Sequence, residues 1–514
     1  MDRTETTVLP QKSKGFIKFL NGVEKVGNLL PNPFILFVGL AVFIVLVSWI
    51  VSLFGVTVTH PSSGETVPVR SLVSVEGFHF ITSSVVNNFI GFNPLGVVLT
   101  LMLGIGLAQR VGLFESAMKK SVLHAPKWMI TYAVIFIGIM GNIAANAAYV
   151  IVPPLAAMVF HSVGRHPLAG LAAGIAGVGC GFTANIMITD FDAMISGIST
   201  DAARTVYPDI TVTPIDNWYF MSLSVFVLSV VGALVTERII EPKLGVYQGE
   251  EVDHSVGDVG ELESKALRNT VAAALLYIAL LVVAVLIPNS PLRNEDGGLI
   301  PSPLMDGVTT FLLVFFLIIG LTYGISVKKI RSTNDLSNYL TESIKDMAPF
   351  VVLAFVIGQF IAYIQWSNLA VWIAVDGAEL LKSINLTGFP VILLFTLVTA
   401  VLSLFITSGT ALWSVLAPTF VPMLVLLDYH PAFIQVAYRV ADSATNMITP
   451  LNPFVAIMLA FLAKYDKKAG LGTHISLLLP YTIAFLGVWI LMLCVFWYFQ
   501  IPVGPGVSMT VTQS

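Results

Sequence analysis

The chain has 514 residues, of which 56% are hydrophobic and only 11% charged, with a net charge of −4. A soluble domain carries roughly twice that charged fraction, so the composition indicates a polytopic α-helical membrane protein, and no basic excess points to nucleic acid. Cys180 and Cys494 are the only cysteines and both lie in apolar segments, too few for a disulfide framework or a thiol metal site.

Residues 1–31 open with the polar "MDRTETTVLPQKSKG" and continue as "FIKFLNGVEKVGNLL", whose apolar spacing and lysine face predict an interfacial helix. The first long apolar run follows too far into the chain for a cleaved signal peptide. Runs of roughly 20 apolar residues make spans. They fall near 32–54, 90–109, 168–199, 217–236, 269–287, 305–326, 347–365, 431–463 and 473–499. Short-loop Lys and Arg set the orientation. Lys12, Lys14, Lys18 and Lys25 place the N-terminus in the cytoplasm. Arg110, Lys119, Lys120 and Lys127 do the same for the loop after the second span, as do Arg238 and Lys243, then Lys328, Lys329 and Arg331, then Lys464, Lys467 and Lys468.

These orientations agree only if two further apolar regions, 127–163 and 387–427, enter and return on the same side. The first is flanked by Lys127 and Arg165, the second by loops read as external that hold Asp376 and Asp428. The predicted fold is therefore all-α, with nine transmembrane helices and two opposed re-entrant hairpins. Irregular backbone at that depth is tolerated only around protein or a watery cavity. The organisation reads as a cytoplasmic N-terminus (1–31), a first half (32–243) with hairpin 127–163, an acidic linker (244–268), a second half (269–500) with hairpin 387–427, and an external tail (501–514).

The hairpins look like copies. "NIAANAAYVIVPPLAAMVFHSVGRHP" (142–167) aligns with "ITSGTALWSVLAPTFVPMLVLLDYHP" (406–431), pairing Pro154 with Pro418 and His166–Pro167 with His430–Pro431 at one offset, 418 − 154 = 430 − 166 = 264. Asn146 then faces Thr410, and Tyr149 faces Trp413. Opposite orientation makes this an inverted repeat, which puts a transport site at the repeat interface near the midplane. Each hairpin precedes a span broken by polar residues: "GVGCGFTANIMITDFDAM" (177–194) and "VADSATNMITPLNPFVAI" (440–457). Asn185 and Thr189 correspond to Asn446 and Thr449, and Asp192 to Asn452. The glycines of "GVGCG" lack a βαβ context and read as packing glycines.

Unwound spans expose N–H ends that favour anions and carbonyls that, with Asn and Thr oxygens, suit Na⁺. Asp192, in or just beyond the first break, could line the path and carry a proton if desolvated; alternatively it and Asp190 cap a span that ends early. Arg439 and Asp442, three residues apart, can pair on one helix face. That pair could fix the broken helix, or release Arg439 to clamp a substrate carboxylate. Asp442, Asn185, Asn446 and Asn452 are candidate ion ligands. Trp413, beside "TSGT", could stack on an aromatic substrate or anchor the interface. No metal role is expected for His166 or His430, and no hydrolase or phosphate-binding motif is present. These residues indicate a transporter rather than an enzyme; a channel is the alternative of a different class.

The assembled stretches "GNLLPNPF", "GFNPLG", "GRHPLAGLAAGIAGVGCGFTAN", "DNWYFM", "IIEPKLG", "SPLMDG", "APTFVPM", "LGTHISLLLPY" and "IPVGPG" resemble the aminobenzoyl-glutamate transporter (AbgT) family along nearly the whole chain. The resemblance implies a homodimer in the bacterial inner membrane. It implies transport of p-aminobenzoyl-glutamate, a folate breakdown product, or export of sulfonamide antimetabolites. Separately, the residues suggest coupling to H⁺ through Asp192, to Na⁺ through Asn and Asp442 oxygens, or to both, and no cofactor is expected. A Na⁺-coupled dicarboxylate or citrate carrier is the neighbouring alternative. By the same resemblance the path residues fall on Asp192, Trp413, Pro431, Arg439, Asp442 and Pro450, and on Thr410 where the family usually has serine. Asn146 stands where other members carry a carboxylate, which shifts the coupling role toward Asp192 and Asp442.

Overall fold

The computed structural model describes residues 31–511 except 62, 124–125, 127–128, 145, 248–259 and 299–301. The interfacial helix expected before residue 31, Lys127, the acid-rich part of the linker, the last three residues and the Asn146 side chain lie outside the described residues.

The described chain is mostly helical. The first half contains α1 (Pro33–Leu53), α2 (Val75–Ile90), α3 (Asn93–Arg110), α4 (Leu113–Leu123), α5 (Ile130–Met140), α6 (Asn146–Ser162), α7 (Pro167–Ile175), α8 (Asp190–Ala203) and α9 (Trp218–Val235). The second contains α10 (Glu261–Leu286), α11 (Val308–Ser326), α12 (Thr333–Asp346), α13 (Ala348–Trp366), α14 (Leu369–Ser383), α15 (Phe389–Leu402), α16 (Gly409–Val425), α17 (Pro431–Thr445), α18 (Val455–Tyr465) and α19 (Leu471–Phe499). Among the described residues, seven helical stretches are long and apolar enough to cross a membrane; α5 to α7, α15, α16 and α18 are apolar but shorter.

The expected spans coincide with these helices, and the structure adds elements that hydropathy did not mark. A two-stranded antiparallel ribbon, β1 (Thr57–Thr59) and β2 (Thr66–Pro68), follows α1. Asn368 closes it onto the α13–α14 turn by donating from Nδ2 to the Pro68 carbonyl at 2.8 Å. Asp376, read as lying in an external loop, sits inside α14. The last eight residues of the expected linker are the first turns of α10: Glu261 and Glu263 favour a helix N-terminus, and Ala266 and Leu267 bury one face. The tail is no free extension. Val503, Val507 and Met509 are buried, the Phe220 amide donates to the Val503 carbonyl, and the His430 amide donates to the Met509 carbonyl.

The first helices of the two broken spans are deeply packed. Every residue of α7 and of α17 is buried. Glycine permits this packing at one crossing in particular. A Cβ on Gly177 would stand 2.8 Å from the Ile135 carbonyl oxygen and 3.0 Å from Gly138 Cα, so α5 and the segment after α7 can touch only because both lack side chains there. The packing role assigned to "GVGCG" therefore holds.

The aligned His-Pro positions share the same local structure. His166 and His430 both cap the helix that follows, their Nδ1 accepting from the Leu168 and Ala432 amides at 3.2 Å each, with Pro167 and Pro431 at the first helical position. Proline suits that position because it has no N–H to leave unsatisfied. Pro154 and Pro418 lie inside the matching arms α6 and α16.

Candidate functional site

The first broken span runs through α7 and a π-helical turn (Ala176–Cys180), then loses helical structure until α8. A capping box restarts it: Thr189 Oγ1 accepts from the Asp192 amide, and Asp192 Oδ2 accepts from the Thr189 amide at 2.8 Å. In the second, α17 ends at Thr445 and α18 begins at Val455. Pro450 and Pro453 cannot donate to a helical ladder. Asn452 replaces part of it, Nδ2 donating to the Asn446 carbonyl at 3.1 Å and Oδ1 accepting from the Phe454 amide at 2.9 Å. The Asn446 side chain reaches the Thr407 carbonyl at 3.3 Å, so these two asparagines organise the second break. They contact each other through Asn452 Nδ2 and Asn446 Oδ1 at 3.0 Å.

The two breaks meet. Thr183 Oγ1 and Ser443 Oγ lie 2.5 Å apart, and a Cβ on Gly179 would fall 2.0 Å from the Met447 side chain. The expected Arg439–Asp442 pair does not form. Arg439 Nη1 instead meets Asp192 Oδ1 at 2.7 Å, with both side chains almost wholly buried. Arg439 Nη2 also donates to the Thr183 carbonyl at 2.6 Å, and Nη1 reaches Asn217 Oδ1 at 3.4 Å. The local i, i+3 spacing loses to a partner from the other repeat that has already been oriented: Asp192 is fixed by Thr189, whose hydroxyl donates to Oδ2 at 2.7 Å. Asp192 is thus both the helix cap and half of a cross-repeat ion pair.

Asp442 has no charged partner among the described residues and lies beside the Tyr438 hydroxyl. It is fully buried, and neither carboxylate oxygen has a hydrogen-bond partner among the described residues. The nearby Tyr438 hydroxyl donates to the Gly409 carbonyl. Asp442 faces the start of α16 so closely that a Cβ on Gly409 would stand 2.7 Å from Oδ2. Asn185 Oδ1 is likewise buried and unpartnered, with its backbone carbonyl accepting from Ser222 at 3.4 Å.

Between the breaks and the starts of α6 and α16 lies a chamber of about 440 Å³. Tyr149 and Phe454 stack in parallel along it, centroids 4.0 Å apart, and Phe182 meets Phe191 edge to face at 5.4 Å. Asn142, Thr189, Asp190, Ser408, Thr410, Asn446 and Asn452 supply its polar lining. The N-termini of α8 and α16 both reach this space, an arrangement that attracts anions or oriented dipoles.

Thr410, Asn446 and Asn452 line the chamber, as does Asp190, first weighed only as a cap. Arg439, Asp192, Asp442 and Trp413 stand outside its lining. Trp413 is fully buried, its indole N–H shared between the Ile195 carbonyl at 3.2 Å and Ser199 Oγ at 3.1 Å, its ring 4.5 Å from that of Tyr438. In this conformation it packs α16 against α8 and offers no face to a ligand. Pro431 begins α17 and Pro450 lies in the second break. Sequence reasoning missed Asn217, whose Oδ1 also accepts from Gln435 Nε2 at 2.7 Å, and the aromatic walls. Tyr149 had surfaced only through its repeat alignment with Trp413.

Paired broken helices facing the starts of α6 and α16 across a polar chamber, with seven span-length apolar helical stretches among the described residues, define a multi-pass membrane transporter. The sequence pattern of the AbgT transporter family matches residues 18–511. The chain is 44% identical to the p-aminobenzoyl-glutamate transport protein of Escherichia coli (strain K12) over 491 residues, covering 95% of this chain and 96% of that protein. Two solved structures share the fold. The YdaH transporter of Alcanivorax borkumensis is 35% identical with a TM-score of 0.87, over 92% of this chain and all of that one. MtrF of Neisseria gonorrhoeae, described within a class of antimetabolite efflux pumps, is 38% identical with a TM-score of 0.90, over 95% of this chain and all of that one. The chain belongs to the AbgT transporter family.

Proposed function

We propose that this protein is a secondary active transporter of p-aminobenzoyl-glutamate and related aminobenzoyl anions. The observation that carries this reading is the chamber at the meeting of the two breaks, which offers ring-stacking walls beside polar groups in a chain alike over 95% of its length to a p-aminobenzoyl-glutamate transport protein. In this reading the chain crosses nine times, supported by the seven long helical stretches among the described residues and the two broken spans, and α5–α6 and α15–α16 are opposed re-entrant hairpins. The N-terminus lies in the cytoplasm of a bacterial inner membrane, and the assembly is a homodimer.

Coupling is assigned to Asp442. A buried carboxylate with no cationic partner is costly as an anion and is stabilised by a proton or by a cation such as Na⁺. Its approach to Gly409 joins that charge to the start of α16, which lines the chamber. Asp192, already engaged by Arg439 and Thr189, could take a proton only after that pair opens.

A second reading is favoured by the close likeness to MtrF: outward transport of sulfonamide-type antimetabolites. Flux measured in proteoliposomes under imposed H⁺ or Na⁺ gradients of either sign, with p-aminobenzoyl-glutamate and a sulfonamide in parallel, tests both. Saturable movement of the first compound supports the main reading. Saturable movement of the sulfonamide alone selects the second, and gradient-independent single-channel currents would exclude both.

A further inference from the structure

Among its described lining residues the chamber contains one acidic side chain and no basic one. That is an unexpected composition for a site taking a substrate with two carboxylates. Arg439, which could have answered them, is consumed by Asp192. The acid is Asp190, the first residue of α8. Two positions on, Asp192 is turned inward and saturated, whereas Asp190 is only partly buried and lines the open space. Its Oδ1 accepts from the Phe191 amide at 2.9 Å, and no side chain among the described residues donates to it. The neighbouring wall is aromatic: Phe191 follows Asp190 directly and meets Phe182.

An unanswered carboxylate beside ring faces fits a particular kind of ligand end, an aromatic ring bearing an N–H donor. In p-aminobenzoyl compounds and sulfonamides alike, that end is the para-amino group. It is a neutral two-proton donor in the ring plane, so it can reach a carboxylate while the ring lies against an aromatic wall. The carboxylate end of such a ligand is disfavoured beside Asp190 by like charge. The ligand is therefore oriented with its amine toward α8 and its acidic end away from Asp190, toward the start of α16. Resting on the transport reading above, we infer that Asp190 is the specificity-determining residue that reads the arylamine, making the chamber selective for 4-aminophenyl ligands over their des-amino analogues.

The test is competition binding to purified protein with p-aminobenzoyl-glutamate and with benzoyl-glutamate, identical but for the amine. A hydrogen bond to a charged acceptor predicts that wild type prefers the amine by about tenfold or more. Asp190→Ala should bring the two ligands within about twofold, chiefly by weakening the amine-bearing one. Asp190→Asn, which keeps an acceptor without the charge, should lie between. Retained binding of benzoyl-glutamate reports that each variant is folded. An undiminished preference in Asp190→Ala overturns the inference and leaves the transport reading standing. Loss of both ligands in both variants also overturns it, marking Asp190 as structural. Failure of wild type to bind either compound overturns the substrate assignment itself.

Discussion

Replacing one member of the Asp192–Arg439 pair should be far more damaging than replacing both. Asp192→Asn leaves the Arg439 guanidinium about 1% exposed with its carboxylate gone and one strong contact remaining, to the Thr183 carbonyl at 2.6 Å. An unpaired buried charge of this kind costs about 3–5 kcal/mol. Arg439→Gln is expected near the lower end of that range, because Asp192 keeps both Thr189 donors. The double variant carries no buried charge here and only altered neutral hydrogen bonds, for a cost of about 1–3 kcal/mol. The singles together come to about 6–8 kcal/mol, so the coupling energy should exceed about 3 kcal/mol. Equilibrium unfolding in mixed micelles, with chromatography to follow assembly, gives all four corners of the cycle. Additivity within about 0.5 kcal/mol would mean that the two side chains do not hold the breaks together, and the reasoning would fail.

Other perturbations separate stability from transport. Asp442→Asn should stabilise the protein by about 1 kcal/mol or more at neutral pH by removing an unpartnered buried carboxylate, while flux loses its response to the driving ion; a retained gradient response would clear Asp442 of coupling. Gly409→Ala places a methyl 2.7 Å from Asp442 Oδ2 and 2.9 Å from the Phe191 ring, and should cost about 1–3 kcal/mol and impair flux. Full-rate flux by that variant would show that the start of α16 has more room than it does here. Burial pushes the His430 imidazole down from 6.5 to about 4. Its folded pKa lies below the unfolded one, so the unfolded chain binds more protons between those values. The associated stability is complete above about pH 6.5 and is lost as pH falls toward 4, up to about 3 kcal/mol. Melts from pH 7.5 to 4.5 should show this slope, and His430→Asn, which keeps a capping acceptor without titrating there, should flatten it.

Spans and breaks were legible because each has a one-dimensional cause. Apolar length marks a crossing, and proline, glycine and asparagine within it mark a rupture; α17 and α18 could be read this way from Pro450, Asn452 and Pro453 alone. The His-Pro repeat was equally readable, since one offset carries both the cap and the following proline. Amphipathic and short helices escaped. α12, with Ser332 and Asp335 forming its capping box, carries too many charges to register as a span. The ion-pair partner of Arg439 escaped for a different reason. Local spacing offers Asp442 one helical turn away, but choosing Asp192 requires knowing that the breaks cross. Asn217 gave no signal at all, as its role exists only where α9 begins beside α17.

The placement of charge around the chamber constrains how an anion could occupy it. Each of the two helix N-termini that reach the space already has an acid beside it: Asp190 and Asp192 at α8, Asp442 at α16. Arg439 cancels Asp192, leaving two uncompensated carboxylates against two helix dipoles worth about half a charge each. With Asp442 ionised, the start of α16 is a poor seat for a substrate carboxylate. Once Asp442 takes a proton or holds a cation, the same backbone N–H groups become available to it. Substrate and coupling ion would then stabilise each other's binding through a single short contact at Gly409. By reciprocity, raising the ion concentration should tighten p-aminobenzoyl-glutamate binding by the same factor as the substrate tightens ion binding. Isothermal titrations at two pH values and two Na⁺ concentrations read that factor directly. A substrate affinity indifferent to both ions would place coupling somewhere other than Asp442.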